Sequence, residues 1–595
     1  MVAQNVRAWA HGLCEHVQRH VSSLLTGGET LAATTQSGPD RDPGSPVARE
    51  AQRKRLRWMP LVSIAAAAFA VEVPFFFFGT PSGHDVEFHL YSWLDVLSQW
   101  KQGILYPRWA EWAHFGYGEP RFIFYPPASW TLGAGLSAVF PWTWVPSIYV
   151  WLVLAAAGVS MFYLAGQWLD RRDATFAAVL YAVNPYHLVI VYWRSAFAEL
   201  LASALLPLLL WLILRAEEKG RRRVVALALV LAGAWLINAP AAVMLHYSLA
   251  LLMLVVVWQG HSSRVLLVGT GAVILGGALA AFYLWPAIYE QKWINIAESV
   301  SAGSRPLDNF LFVHTSDAEH DAFNRLISWI GMAEIILTIA AAWAARDWRS
   351  KNRELWHSLA IWAGACALLM FSFSTPLWNV LPKLRFMQFP WRWLLCMGIP
   401  FSLLTVLGFR KWTSRVAIYL AMLCLLIFAG HHFQAPWWDT GADLREMQDN
   451  MANQVGYEGT DEYTPVGTDG SSVDKDALRV VVEGPARAAV RVSQWKPEAK
   501  SFRAEMSAAD HLTVRLFDYP AWRVEVNGRP VQAGMREGTG QMLVPVEAGA
   551  NRVQIRFVRT WDRAAGGWTS VLAVLFTILL WRGKKVISPP LDRRD

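Results

Sequence analysis

Runs of about 20 mostly apolar residues, the length that carries a helix across the hydrocarbon core of a bilayer, recur along this chain. They start near Met59, Pro146, Ala174, Leu200, Val224, Ala241, Val265, Leu326, Leu355, Arg392, Arg415 and Gly567. A chain built this way is a polytopic α-helical membrane protein with about 12–13 helices. Composition agrees: 17% of the 595 residues are charged, against about 25% in soluble domains.

Residues 1–50 are polar and carry no signal peptide, and "SGPDRDPGSP" (37–46) reads as a flexible linker. A short amphipathic helix fits residues 5–25. Cys14, Cys366, Cys396 and Cys424 lie far apart, three of them inside apolar runs. That spacing suits neither a metal site nor a disulfide framework. The net charge of +8 comes from Lys and Arg gathered in short loops. It therefore reflects topology, and the expected partner is the lipid bilayer rather than nucleic acid.

Basic loops stay on the cytoplasmic side. "RKRLR" (53–57), "LDRRD" (169–173), "EEKGRRR" (217–223), "ARDWRSKNR" (345–353), "FRKWTSR" (409–415) and "WRGKK" (581–585) can all be cytoplasmic at once. This requires that the apolar, Pro-bounded stretch 126–142 be a short juxtamembrane or re-entrant helix rather than a span. The expected organisation follows. Residues 1–58 form a cytoplasmic, partly disordered segment, and 59–431 a multi-span helical domain with its first outer loop at 80–125. Residues 432–566 form an extracytoplasmic domain, 567–582 the last span and 583–595 a cytoplasmic tail. From about 479 the sequence alternates with period two ("LRVVVEG", "AAVRVSQW", "HLTVRLF", "WRVEVNG", "NRVQIRF"), and "VNGR" (526–529) is an Asn-Gly hairpin turn. These features predict a small antiparallel β-sandwich.

Four expected outer stretches concentrate polar residues. In "GHDVEFHLYSW" (83–93), Val86, Leu90, Leu94 and Leu97 repeat at helical spacing, so a helix begins near Asp85. "SGHD" (82–85) matches a capping box, which makes Asp85 either a helix cap or a reactive acid, and the two roles can coexist. Glu87 and His89 read first as surface residues. His84 and His89 are five apart and off one helical face, which argues against a zinc pair. In "WRSAFAEL" (193–200), Arg194 and Glu199 are either a salt bridge between helix ends or a phosphate-binding Arg beside an acid for metal or substrate. Arg392 in "LRFMQFPWRWL" (384–395) is an interfacial anchor or a lipid-phosphate ligand. "GYEGTDEYTP" (456–465) supplies Glu462 and Tyr463, as an ordered surface loop or as substrate contacts. Glu72, inside the first run, must face protein or a water-filled cavity and is expected to border the same pocket. "INAP" (237–240) marks a tight turn.

These residues resemble known families. "GHDVEFHL", "YPRW" (106–109), "GYGEPRFIFYPP" (116–127), "NPYH" (184–187), "RSAFAE", "QFPWR" (388–392) and "GYEGTDEYTP" resemble the membrane family labelled 6-pyruvoyl-tetrahydropterin-synthase-related. An acid just after the first span, followed by a helix and a "YPP" segment, is similar to the glycosyltransferase C superfamily. "YPAWRVEVNGRPV" and "VPVEAGANRVQIRF" resemble the outer β-domain of a related bacterial membrane glycosylation family. The pterin label implies no pterin activity, since that chemistry needs a three-His zinc site and a soluble α/β fold.

The superfamily resemblance implies sugar transfer from a polyprenyl-phosphate-linked donor at the outer face of a bacterial-type inner membrane. Asp85 would be the general base and Glu199 a second catalytic acid. His84, Glu87, Arg194, Arg392, Glu462 and Tyr463 would bind substrate. A divalent cation such as Mg2+ or Mn2+ is compatible with this scheme but not required by it. The competing expectation is a non-enzymatic lipid or polysaccharide transporter, an assembly scaffold, or an inactive transferase-like binder.

Overall fold

In the computed structural model of the protein, residues 46–216 and 220–582 are described, those at 46–57 through their backbone alone. The amphipathic helix expected at 5–25, most of the 37–46 linker and the 583–595 tail lie outside them. The chain divides into a first unit, Met1–Met59, and a second, Pro60–Asp595. The second holds the membrane helices, the β-rich region and the site.

Each of the apolar runs becomes helix, but fewer of them are, taken singly, long and apolar enough to cross than the sequence suggests. Among the described residues eight helices are long and apolar enough to span a bilayer: Trp58–Phe78, Trp142–Ala165, Arg171–Arg194, Ala239–Trp258, Ala318–Lys351, Pro390–Gly408, Trp412–His432 and Trp561–Arg582. Two bent pairs raise the number to ten. They are Arg264–Leu279 with Ala281–Trp293, bent by 76°, and Arg353–Leu369 with Ser372–Val380, bent by 93°. The second bend precedes Pro376, which can open a helix but cannot continue one. The last two runs fall short. Phe197–Ile213 is interrupted by a 3-10 turn at Ser203–Leu205, just before Pro207, whose ring and missing N–H break an α-helical ladder. Gly220–Ile237 spends its first turn on Arg221, Arg222 and Arg223, so only 224–237 is apolar.

The stretch at 126–142 forms a helix, Pro127–Val139, between Pro126 and Pro141. Its 13 residues rise about 20 Å, against a hydrocarbon core of about 30 Å. Gly133 lies flat on the Trp93 ring, where a Cβ would come within 2.1 Å of the indole, which locks this helix to Val86–Lys101.

The C-terminal region is β-rich, as the alternation predicts. Antiparallel strands form a four-stranded sheet (Val480–Val482, Asp510–Phe517, Gln541–Val546, Gly534–Met535) and a five-stranded one (Ala488–Lys496, Ala499–Met506, Gly549–Phe557, Trp522–Val526, Arg529–Val531). Asn527 and Gly528 both take positive φ, 53° and 77°, as a type I′ hairpin demands, and Val526 pairs with Arg529. Phe502, Leu512, Leu516, Val544 and Ile555 from both sheets share one hydrophobic cluster, joined by Trp109, Tyr117 and Ile123 of the first long loop.

A buried ion pair between two membrane helices also takes a hydrogen bond from this region. Nε and Nη2 of Arg563, in Trp561–Arg582, donate to Glu290 at 2.7 Å each, and the hydroxyl of Tyr519, from the β-rich region, donates to the same carboxylate at 2.6 Å. Glu290 is wholly buried. Removing one partner strands the other charge, so Glu290→Ala is expected to cost about 3–5 kcal/mol. Glu290→Ala combined with Arg563→Met should cost clearly less than the sum of the two single variants. Denaturant unfolding of the four proteins in detergent checks this; additive costs would show that the pair is not coupled.

Candidate functional site

The site begins with a backbone constraint. Residues 81–85 run against the left-handed turn that ends the Arg171–Arg194 helix, where Ser195 has φ 48°. The Gly83 N–H donates to Ser195 Oγ at 3.0 Å, and that hydroxyl donates to the Pro81 carbonyl at 2.9 Å. The His84 and Asp85 N–H groups donate to the Trp193 and Arg194 carbonyls at 3.3 and 2.9 Å. The strands approach so closely that a Cβ on Gly83 would sit 2.5 Å from backbone carbons of Trp193 and Arg194, so only glycine fits.

This zipper sets Asp85 beside Arg194. Asp85 occupies the N-cap position of Val86–Lys101, yet its side chain makes no capping bond. The capping-box expectation is not met, because the Asp85 N–H is already engaged by Arg194 and the carboxylate turns elsewhere. That carboxylate is 40% exposed and lies 3.4 Å from Arg194 Nη2.

Arg194 has a stronger partner behind it. Its Nη1 donates to Glu199 Oε2 at 2.5 Å, Arg392 Nε approaches the same oxygen at 3.1 Å, and the Tyr186 hydroxyl donates to Glu199 Oε1 at 2.5 Å. Arg392 also donates through Nη1 to the Met387 carbonyl at 2.6 Å and to Gln388 Oε1 at 3.2 Å. Phe389 and Trp391 stack on each other at 4.8 Å. Trp391 receives the Arg194 guanidinium at 4.8 Å, and Phe389 that of Arg392 at 4.6 Å. Glu199 is 1% exposed. The carboxylate is enclosed, and its geometry is that of an anchor for two arginines, the salt-bridge alternative of its two expected roles. Tyr186 was the residue sequence reasoning passed over. It lies in "NPYH", where Asn184 caps the short helix Pro185–Val189 by accepting from the His187 N–H.

The segment 456–465 closes on the same place from the C-terminal region. Glu119 accepts from Arg121 Nε at 2.5 Å and from the Thr460 N–H at 2.8 Å, and lies 3.0 Å from His114 Nε2. Burial alone would raise the Glu119 carboxyl, but Arg121 and these donors outweigh it and hold it below its ordinary range. A Cβ on Gly459 would collide with the His114 ring at 2.0 Å, so the glycine is needed for this fit. Glu462 stands in the 3-10 turn Asp461–Tyr463 that follows. Its carboxyl is pushed up to about 7 by burial, then by the charges of Glu119, Asp461 and Asp85, which puts it in the field of Asp85. Tyr463 is buried and stacks on Phe124 at 5.9 Å, forming wall rather than an open contact.

The other candidates separate. His84 sits on the rim, edge-on to Phe323 and Trp437, and burial lowers its imidazole below the ordinary value. His89, expected at the surface, is instead buried among Tyr125, Trp93 and Phe197, and burial pushes it down to about 4. Glu87 feels Asp439 and Glu458 instead of the arginines; burial and those two acids raise it. The structure thus brings together Asp85, Arg194, Glu199 and Arg392, with Glu462 nearby, and leaves Glu87 apart. Among the described residues no group of three or more His, Cys, Asp or Glu could hold a metal ion.

An apolar groove of about 670 Å³ adjoins the cluster. Val71, Leu188, Tyr192, Leu423, Ile427 and Trp193 line it, and Trp193 directly precedes Arg194.

Residues 122–435 match the 6-pyruvoyl-tetrahydropterin synthase related domain, described as a membrane protein. The chain belongs to this family. The matched stretch contains Arg194, Glu199 and Arg392, whereas Asp85 and Glu462 lie outside it in a family member whose site draws on both flanks. No curated protein matches the chain.

Glu462 gives a pH signature. Its folded carboxyl, at about 7, lies above the ordinary 4.5, so the folded state favours the protonated form. Stability from this group is full below about 4.5 and is lost as pH rises through about 7. Glu462→Gln is expected to remove part of the fall in stability across that window, measured as unfolding midpoint against pH. Parallel profiles for both proteins would contradict this placement.

Proposed function

We propose that this family member is a membrane glycosyltransferase of the glycosyltransferase C type, using a polyprenyl-phosphate-linked sugar donor at the outer face of the membrane. The observation that carries the reading is Asp85: a carboxylate free of capping duty, 40% exposed and 3.4 Å from a buried arginine. A structural acid at that position would be satisfied by its own helix. The sidedness rests on the basic loops, which place the end of the bundle holding Asp85 away from the cytoplasm.

In this reading the donor phosphate takes Arg194 Nη2 and the Arg392 guanidinium, and its lipid chain lies in the apolar groove beside Trp193. Arg194 can turn to the phosphate without leaving Glu199, because the two partners use different nitrogens. Asp85 is then released to accept the proton of the acceptor hydroxyl. The acceptor oxygen bonds to the anomeric carbon, the bond from that carbon to the phosphate oxygen breaks, and the electron pair leaves on the phosphate. The two arginines offset the charge that develops there. A single displacement inverts the anomeric centre. Glu199 acts as a positioning residue, and Glu462 approaches the acceptor from the C-terminal region.

Transport is the competing reading, and Glu334 is the observation on its side. It is wholly buried in the Ala318–Lys351 helix, and both of its carboxylate oxygens lack a hydrogen-bond partner among the described residues. Ionisable groups so placed often mark ion or proton paths.

Asp85→Asn and Asp85→Ala in a deletion strain separate these readings, with membrane abundance and surface glycans assayed together. Asp85→Asn is expected at normal abundance with transfer reduced by about 10²–10⁴-fold, the usual worth of a positioned base. Glu334→Gln should leave the glycans intact. Wild-type glycans from Asp85→Asn, with loss only in Glu334→Gln, would reverse the assignment.

A further inference from the structure

A second groove, of about 520 Å³, is lined by two acidic residues. Phe69, Phe76, Trp144 and Trp151 give it apolar walls, and Phe76 and Trp144 are 65% and 63% exposed along them. Two carboxylates line it. Glu72 is 3% exposed, and its Oε1 has no hydrogen-bond partner among the described residues. Asp439 Oδ2 is likewise buried without one. No Lys, Arg or His lines this groove among the described residues. Leaving acid oxygens desolvated and unpaired is costly, which favours a cationic partner.

Depth narrows the choice. Glu72 lies six residues before the end of the Trp58–Phe78 span, about 9 Å along the axis, in the third of the span nearest that end. Two carboxylates among apolar walls form no metal-holding group, and none is found among the described residues. An anionic lipid would bring these acids no opposite charge. We propose that this groove binds a membrane phospholipid with a primary-ammonium headgroup, the ammonium donating to Glu72 and Asp439 and a chain lying along Phe69, Phe76 and Trp144. Thr143 and Ser147, also in the lining, leave hydroxyls for the lipid phosphate. Asp439 pairs with Thr80 in the short antiparallel ribbon that leads toward Asp85, so the lipid braces the start of the loop. Glu72 thus borders a groove of its own and does not line the apolar groove beside Trp193, where it was expected to share a pocket. The inference does not depend on sugar transfer.

The test is native mass spectrometry of the full chain in mild detergent with equimolar phosphatidylethanolamine, phosphatidylcholine and phosphatidylglycerol of identical chains. Wild type is expected to retain phosphatidylethanolamine about tenfold over phosphatidylglycerol, the worth of one charged hydrogen bond. The double variant Glu72→Gln, Asp439→Asn should lose that preference while keeping its phosphatidylglycerol signal. Ile148→Trp, which fills the groove and leaves both acids in place, should lose the preference too. Equal retention of phosphatidylethanolamine and phosphatidylglycerol by wild type overturns the site. Equal retention of phosphatidylcholine overturns the requirement for a primary ammonium. A preference that survives both variants places the lipid elsewhere.

Discussion

Two arginines buried at the end of a membrane-helix bundle demand a counter-charge, because desolvating a guanidinium without one costs several kcal/mol. Glu199 supplies it, accepting from Arg194 and Tyr186 and lying against Arg392. One carboxylate cannot neutralise two cations, and the remaining charge faces Asp85. The long 3.4 Å contact between Arg194 and Asp85 is therefore the soft point of a network whose other contacts are short. On the proposed reading, a donor phosphate would enter where the network is least committed.

The rest of the structure holds that point in place. The backbone zipper between 81–85 and 193–195 fixes Asp85 relative to Arg194 without using either side chain. The Glu119–Arg121–His114 cluster clasps Thr460 and carries Glu462 into the field of Asp85. Glu290, paired with Arg563 and accepting from the Tyr519 hydroxyl, secures the β-rich region to the helices from the other side. The C-terminal region is thus bound into the membrane domain by buried charge at two places. Each charge cluster sits where apolar packing alone would leave the join non-specific.

Much of this was legible in the residues. Helix positions followed from apolar length, and strands from period-two alternation, since both periods are imposed by backbone geometry. Crossing number was less legible: Pro207, Pro376 and the arginines at 221–223 shorten or bend runs that composition alone counts as spans. At the site, "SGHD" suggested a cap, but capping depends on whether the N-terminal N–H groups are already satisfied. Here the N–H groups of His84 and Asp85, just before the helix, bond Trp193 and Arg194, over a hundred residues away, and fix Asp85 without its side chain. Glu199 and Arg194 were seen as a pair, while the third partner, Arg392, comes from an element far away in the chain, and the fourth, Tyr186, comes from the Asn184-capped helix just before Arg194. Glu87 and Asp85 look equivalent in sequence, yet two positions along a helix turn a side chain by about 200°.

The central claim is that phosphate displaces Asp85 from Arg194. It is tested most directly by the affinity of a short-chain prenyl phosphate for the purified protein, compared between wild type, Asp85→Asn and Arg194→Lys. If Asp85 competes for the guanidinium, Asp85→Asn binds at least as tightly as wild type, and Arg194→Lys binds about tenfold more weakly, the loss of one charged hydrogen bond. Equal affinity for wild type and Arg194→Lys, or a marked loss in Asp85→Asn, would contradict the account.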